Sequence, residues 1–277
     1  MNLVVQGEEI PTRALKELAK LTGAEGIQRI TGTAFRLVGA SECVDEVADY
    51  CAERQLDAAW VPESRRLRDF GLFVTDMDST LINIECIDEL ADVAGVKPQV
   101  AEITEAAMRG EMDFAESLTR RVSLLKGLPE AALAQVFDQR LKLNPGAEVL
   151  VRGLRQAGLR TVLVSGGFTY FTERLKRQLG FDAAVANELD IVDGHLTGRV
   201  RGDIVDAAAK RATLMRFRSQ IGLLDTQTIA AGDGANDLLM LDEAAIGVAY
   251  HAKPVVRARC RFALDWAGLD GILHLFN

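Results

Sequence analysis

The sequence predicts an α/β protein. It has a parallel sheet wound with helices, a helical insertion after the sheet's first strand, and a small separate α+β unit in front. Three observations predict this. From Phe70 onward, short apolar runs alternate with helical segments, the pattern of βαβ units. Residues 84–143 carry no strand signal but several helical runs, broken near Gly95, Gly110 and Gly127-Leu128-Pro129. Residues 1–68 have an alternation of their own, which sets the domain division at 1–68 and 69–277.

In the first unit, Leu3-Val4-Val5 is a short strand. Residues 11–21 form a helix, with Leu15, Leu18 and Leu21 at helical spacing. Residues 26–30 and 33–38 alternate at the strand period, and Thr31-Gly32 between them predicts a hairpin. Ser41 is the expected N-cap of a helix over 44–56, and residues 57–61 form a last strand. This βαββαβ order is similar to an ACT-type regulatory domain. The likeness implies an amino-acid effector and a homodimer as candidate partners, with simple packing as the plainer role. The basic stretch Ser64-Arg65-Arg66-Leu67-Arg68 is the linker.

In the second unit, strands are expected at 72–75, 160–165, 183–186, 228–231 and 246–249. A further insertion, 189–198, contains Asp193-Gly194, a hairpin-turn signal.

Composition narrows the partners. The chain has 277 residues, enough for about two domains. It is 48% hydrophobic and 26% charged, ordinary for a soluble protein with a real core. The net charge of −8 argues against nucleic acid or an anionic membrane as a partner, since either needs a basic face. The N-terminus lacks the basic and apolar regions of a signal peptide, and no run approaches the roughly 18 apolar residues of a membrane span. Cys43, Cys51, Cys86 and Cys260 include no Cys-x-x-Cys pair, which predicts reduced thiols and a cytoplasmic protein. His195, His251 and His274 have no metal-ligand spacing.

The chemistry concentrates in four places. Val74-Thr75-Asp76-Met77-Asp78-Ser79-Thr80 sets two carboxylates two apart where an apolar strand stops. Alternate strand residues point the same way, and Asp78 turns into the loop, so both can reach one reacting group. In Gly232-Asp233-Gly234-Ala235-Asn236-Asp237 the two Asp are four apart, one helical turn. Ser165-Gly166-Gly167 ends another apolar run and offers a hydroxyl and free N–H groups as a phosphate cradle. Lys210 offers a cation. Each piece alone is equally a solvated turn or a surface charge. Three of the four lie at the C-terminal ends of apolar strands, where open parallel sheets bind ligands.

That ordered set, Asp-x-Asp, Ser, Lys, Gly-Asp-x-x-x-Asp, resembles the haloacid dehalogenase superfamily of phosphohydrolases. With Glu85 and the segment from Ile103 through Met108 and Phe114 to Arg121 and Leu125, it resembles the phosphoserine phosphatase branch, over roughly residues 70–275. The resemblance implies a Rossmann-like three-layer fold with a helical cap, and hydrolysis of O-phospho-L-serine, the last step of serine biosynthesis. It implies Mg²⁺ held by Asp76, Asp233 and the backbone carbonyl of Asp78. Asp237 then holds a metal-bound water or orients Lys210. Asp76 is the implied nucleophile and Asp78 the acid and base, with Ser165, the Gly166 N–H and Lys210 on the phosphoryl oxygens. Glu85 suits the substrate ammonium and Arg121 its carboxylate. Met108 and Phe114 are the implied pocket walls, and Asn236 the contact from the core side. Other readings stay open: another small phosphomonoester, phosphoryl transfer to an alcohol such as homoserine, a non-catalytic amino-acid sensor, or a dehalogenase.

Overall fold

The computed structural model describes residues 1–277. It contains two sheets. The first four strands form an antiparallel sheet in the order β2-β3-β1-β4, with β1 at Asn2–Gln6, β2 at Gly26–Arg29, β3 at Ala34–Val38 and β4 at Asp57–Val61. Helices α1 (Thr12–Thr22) and α2 (Val44–Ala52) cover one face. The expected N-cap is corrected. Helix α2 begins after Cys43, so Ser41 lies two residues outside the cap position. Its backbone N–H instead donates to the Thr22 carbonyl. The helix also stops at Ala52, before a left-handed Gln55, rather than continuing to Leu56.

The strand alternation explains how the two units join. On β1 and β4, Leu3 and Val5 join the helix-covered core, whereas Val4, Ala59 and Val61 join the core of the second unit. Several polar groups on that second face bond across the junction. Asp57 accepts the N–H groups of Asp265, Trp266 and Ala267 at 2.8, 3.0 and 2.8 Å. Arg36 donates to the Phe276 carbonyl at 2.6 Å. Packing against the second unit is therefore one role of this small domain.

The second sheet has seven strands. Five are β5 (Leu72–Thr75), β6 (Arg160–Phe168), β7 (Ala183–Val192), β9 (Thr228–Gly232) and β10 (Ile246–Tyr250). The others are β8 (His195–Arg201) and β11 (Phe262–Leu264), and the order is β11-β10-β9-β5-β6-β7-β8. Every pairing is parallel except β7 with β8. Strand residues point alternately into two apolar clusters. Phe73, Leu163 and Ile229 face α7 (Ala147–Gln156) and α8 (Thr169–Leu179), and Leu72, Val74, Val162 and Ala230 face α9 (Ala207–Gln220) and α10 (Leu238–Glu243). Burial on both faces is why these strands read as continuous apolar runs.

The insertion after β5 is helical: α3 (Cys86–Val93), α4 (Lys97–Met108), α5 (Phe114–Ser123) and α6 (Ala131–Gln139). Its two ends meet at a bridge between Ile82 and Leu143. The β7–β8 hairpin turns at Asp193 (φ 50°) and Gly194 (φ 72°), both left-handed, as a two-residue turn requires. It also props the insertion: the Gly127 and Glu130 N–H groups donate to the Leu196 and Gly194 carbonyls, both at 2.8 Å. No helix is long and apolar enough to cross a membrane.

Candidate active site

The parallel register brings the chemistry together. Strand β5 is central, and Thr75 pairs with Leu163 on one side and Ala231 on the other. The C-terminal ends of β6, β5 and β9 therefore lie side by side and carry Ser165, Asp76 and Asp233. The chain leaves β5 toward β6 and β7, then returns to β9 on the other side, so the site sits where the winding reverses.

At its base is a buried ionic triad. The Lys210 ammonium donates to Asp76 Oδ1 and to Asp237 Oδ1, both at 2.7 Å, and all three residues are buried. Burial works against the Lys210 charge, but the Asp237 and Asp76 carboxylates outweigh it and hold its pKa above the ordinary value. Burial pushes Asp76 well up, the Asp237 carboxylate adds to this, and Lys210 opposes it. The second Asp237 oxygen accepts the N–H groups of Asp233 and Gly234 at 3.2 and 3.0 Å. Gly232 is required beneath it, because an added Cβ would lie 2.6 Å from the Asp237 Cβ.

Asp78 occupies a second buried pocket. Its Oδ1 accepts the Cys86 N–H at 2.8 Å and its Oδ2 accepts the Ser165 hydroxyl at 3.1 Å. Burial raises its pKa, and these bonds oppose the shift. The Gly167 N–H donates to Ser165 Oγ at 2.8 Å, which orients the hydroxyl. A Cβ on Gly167 would lie 2.6 Å from Asp78 Oδ2 and 3.0 Å from Ser165 Oγ. Gly167→Ala is expected to displace both groups and lower kcat about 10²-fold, the usual cost of a misplacement near 1 Å. Steady-state assays with a circular-dichroism control on folding check it.

Around this base stand the cap residues. Ser79 is left-handed (φ 55°), and its hydroxyl donates to Glu85 Oε1 at 2.6 Å. Glu85 is the N-cap residue before α3, and its side chain is exposed to solvent. Enclosure by the protein, with the Asp78 carboxylate next in effect, still pushes its pKa up to about 8. Arg121, on α5, lies in the field of Asp88, Glu85 and Asp78, which counters the lowering of its pKa by burial. Phe114, the first residue of α5, reaches over Gly166, and its Cζ is 2.8 Å from where a Cβ would stand. Asn236 is half-buried in a tight turn over Ala235–Asp237 and folds beside Gly234. Met108 does not join the group. It is the last residue of α4, 69% exposed, on a helix that buries only Val100 and Ala106.

Three further residues support the site, and two of them, Asn187 and Asn144, lie outside its motifs. Buried Asn187 donates to the Gly166 carbonyl and accepts the Val205 N–H, both at 2.8 Å, tying the phosphate cradle to the segment before Lys210. Thr80 donates to Asp233 Oδ1 at 3.0 Å, and Asn144 donates to the Thr80 carbonyl at 2.8 Å. A signal for Asn187 existed: it follows the apolar run 183–186, the same strand-end position that marked Ser165 and Asp233.

Asp76, Asp233 and Asp237 each offer a carboxylate oxygen, all within 4.8 Å of one another. The oxygen-only donor set suits a hard divalent cation. Both Asp237 oxygens are already engaged, leaving Asp76 Oδ2 and Asp233 as the better donors. Burial and the Asp237 charge push Asp233 to about 6, as a site awaiting a countercharge should.

Comparison with known proteins agrees with this geometry. Residues 73–242 match the haloacid dehalogenase-like hydrolases, and residues 3–59 match a domain of unknown function. A phosphoserine phosphatase from Polaromonas sp. strain JS666 is 54% identical over 215 residues, 76% of this chain and 91% of the relative. The crystal structure of a haloacid dehalogenase family hydrolase from Salmonella enterica serovar Typhi superposes with a TM-score of 0.90 at 32% identity. It covers 100% of this chain and 98% of that one. The crystal structure of a probable phosphoserine phosphatase from Vibrio cholerae gives 0.88 at 40% identity, over 99% of this chain and 86% of that one. With the Asp, Ser and Lys groups converging on three adjacent strand ends, the chain belongs to the haloacid dehalogenase-like hydrolases, among the phosphoserine phosphatases.

Proposed function

We propose that this enzyme hydrolyses O-phospho-L-serine to L-serine and phosphate, with Asp76 as nucleophile and Mg²⁺ as cofactor. The observation that carries the substrate is the pairing of Glu85 and Arg121 beside Asp78. Glu85 and Arg121 both lie within the field of Asp78, one anion and one cation, as the ammonium and carboxylate of an amino acid require. A sugar or nucleotide phosphate needs neither.

Mg²⁺ fits the Asp76 and Asp233 carboxylates with the Asp78 carbonyl. When bound, it neutralises phosphoryl charge and lets a carboxylate approach phosphorus. The Asp76 carboxylate attacks phosphorus, the P–O ester bond breaks, and protonated Asp78 delivers its proton to the departing serine oxygen. Asp78 then takes a proton from water as that water attacks the aspartyl-phosphate, releasing phosphate and restoring Asp76. Lys210, Ser165 and the Gly166 N–H stabilise the phosphoryl oxygens as their charge shifts. Asp237 orients Lys210. Phe114 over Gly166 excludes water.

Phosphate release from O-phospho-L-serine, with Mg²⁺ and with EDTA, tests the proposal. Metal-dependent release is expected. Release only from an aryl phosphate would retain the chemistry and discard the roles of Glu85 and Arg121.

Glu85→Gln is expected to raise KM about 10–100-fold, the worth of a charged hydrogen bond, with a smaller change in kcat. Binding the ammonium needs ionised Glu85. As pH falls below about 8 the free enzyme holds the carboxyl protonated, and kcat/KM falls by at most about tenfold per pH unit. Glu85→Gln should remove that inflection, and pH profiles of both proteins check it.

A further inference from the structure

One cavity lies apart from the catalytic cleft. It has a volume of about 480 Å³ and lies between the small domain and the second unit, within the size range of small-molecule sites. The small domain contributes the turn after β1, with Gly7 and Glu8; the second unit contributes the loop before α7 and the C-terminal segment. Two of the chain's four left-handed non-glycine residues, Ser79 and His251, line it. So does Tyr250, a buried residue whose hydroxyl has no hydrogen-bond partner.

The lining identifies the ligand by its chemistry. It contains two carboxylates, Glu8 and Asp270, and no Lys or Arg. A phosphate ester would meet two carboxylates there and no Lys or Arg to offset them. An ammonium group would find countercharge at the carboxylates and an aromatic face at Trp266, and Asn83 and Asn144 can hydrogen-bond its polar substituents. We propose that this interdomain cavity binds a small ammonium-bearing molecule, an amine or amino acid, and that its occupancy is coupled to the catalytic cleft through Ser79. The route is short. Ser79 lines the cavity while its hydroxyl holds Glu85 at 2.6 Å. Asn144, on the same wall, holds the Thr80 carbonyl, and the Thr80 hydroxyl holds Asp233. A ligand that engages Ser79 or Asn144 biases the loop that carries Asp78. The coupling, though not the site, rests on Glu85 as the substrate's ammonium acceptor.

The chain has two tryptophans, Trp60 and Trp266, and only the second lines the cavity. In full-length Trp60→Phe, Trp266 emission therefore reports the cavity directly. The probes are ethanolamine and glycine, which differ in a hydroxymethyl for a carboxylate, with inorganic phosphate as the anion control. A saturable response to ethanolamine is expected, weakened about tenfold or more by Asp270→Asn or Glu8→Gln. It should persist in Glu85→Gln, which separates this cavity from the catalytic cleft, and phosphate should give none. Tighter binding of ethanolamine assigns the ligand to simple amines; tighter binding of glycine assigns it to amino acids. No saturable response to either probe, or a response unchanged in both cavity variants, overturns the site. Exposed Glu8 keeps the test open should Asp270→Asn misfold. For the coupling, saturating ethanolamine should change KM for phosphoserine about fivefold or more; saturable binding with unchanged KM overturns it. Because emission needs no turnover, a chain inactive on phosphoserine would still report on the cavity.

Discussion

Asp76→Asn abolishes turnover, with kcat lower by about 10⁴-fold or more, while the protein stays folded. The size follows from the role proposed for Asp76, because removing a covalent nucleophile stops the route and leaves only binding and electrostatics. Folding survives because the substitution is isosteric. The amide oxygen still accepts from Lys210, and Lys210 keeps its 2.7 Å bond to Asp237. The variant should also form no phosphoprotein when quenched in acid with labelled phosphoserine, whereas wild type should. Activity above about 1% of wild type in a folded variant would remove Asp76 from the nucleophile role.

Lys210→Met destabilises the fold by about 3–5 kcal/mol, the usual cost of removing one partner from a buried ion pair. Asp76 and Asp237 would be left buried with no countercharge. Adding Asp237→Asn removes one of those charges and should recover part of the loss, a non-additivity expected of groups in direct contact. The pH dependence has a definite sign. Burial holds Asp76 above its unfolded pKa near 4, and losing Lys210 removes the charge that opposes this, so its burial costs little at low pH and more as pH rises. The stability gap between wild type and variant should therefore widen between pH 5 and pH 8 in EDTA. Chemical denaturation at both pH values measures it, and a gap that narrows with pH would contradict the buried-triad account.

The order of residues along the chain was enough to pick out most of the candidate site, and the reason is local. A strand buried on both faces must be an unbroken apolar run, so Asp76, Ser165 and Asp233 stand out as the first polar groups beyond three such runs. Glycine spacing marked the tight turns, and Asp193-Gly194 marked a hairpin that formed where expected. The α/β class, the helical insertion and the βαββαβ unit follow from the same periodicities.

Other features depend on partners distant in sequence, which no local pattern encodes. The strand-end position of Asn187 does not name its partner, which is set only when β7 lies beside β6 and its amide meets the Gly166 carbonyl. Ser41 has the chemistry of a cap, but packing of the loop against α1 starts the helix elsewhere. The resemblance implies Met108 as a pocket wall, and its 69% exposure at the end of α4 is set by how the cap helices pack. The cavity between the domains has no sequence signature, because its walls come from segments more than 200 residues apart. The sequence by itself determined which groups can do chemistry and on which strand ends they stand. Only the tertiary structure decided which of them share a proton, a charge or a cavity, because those depend on distances of a few ångströms set by the packing of the whole chain.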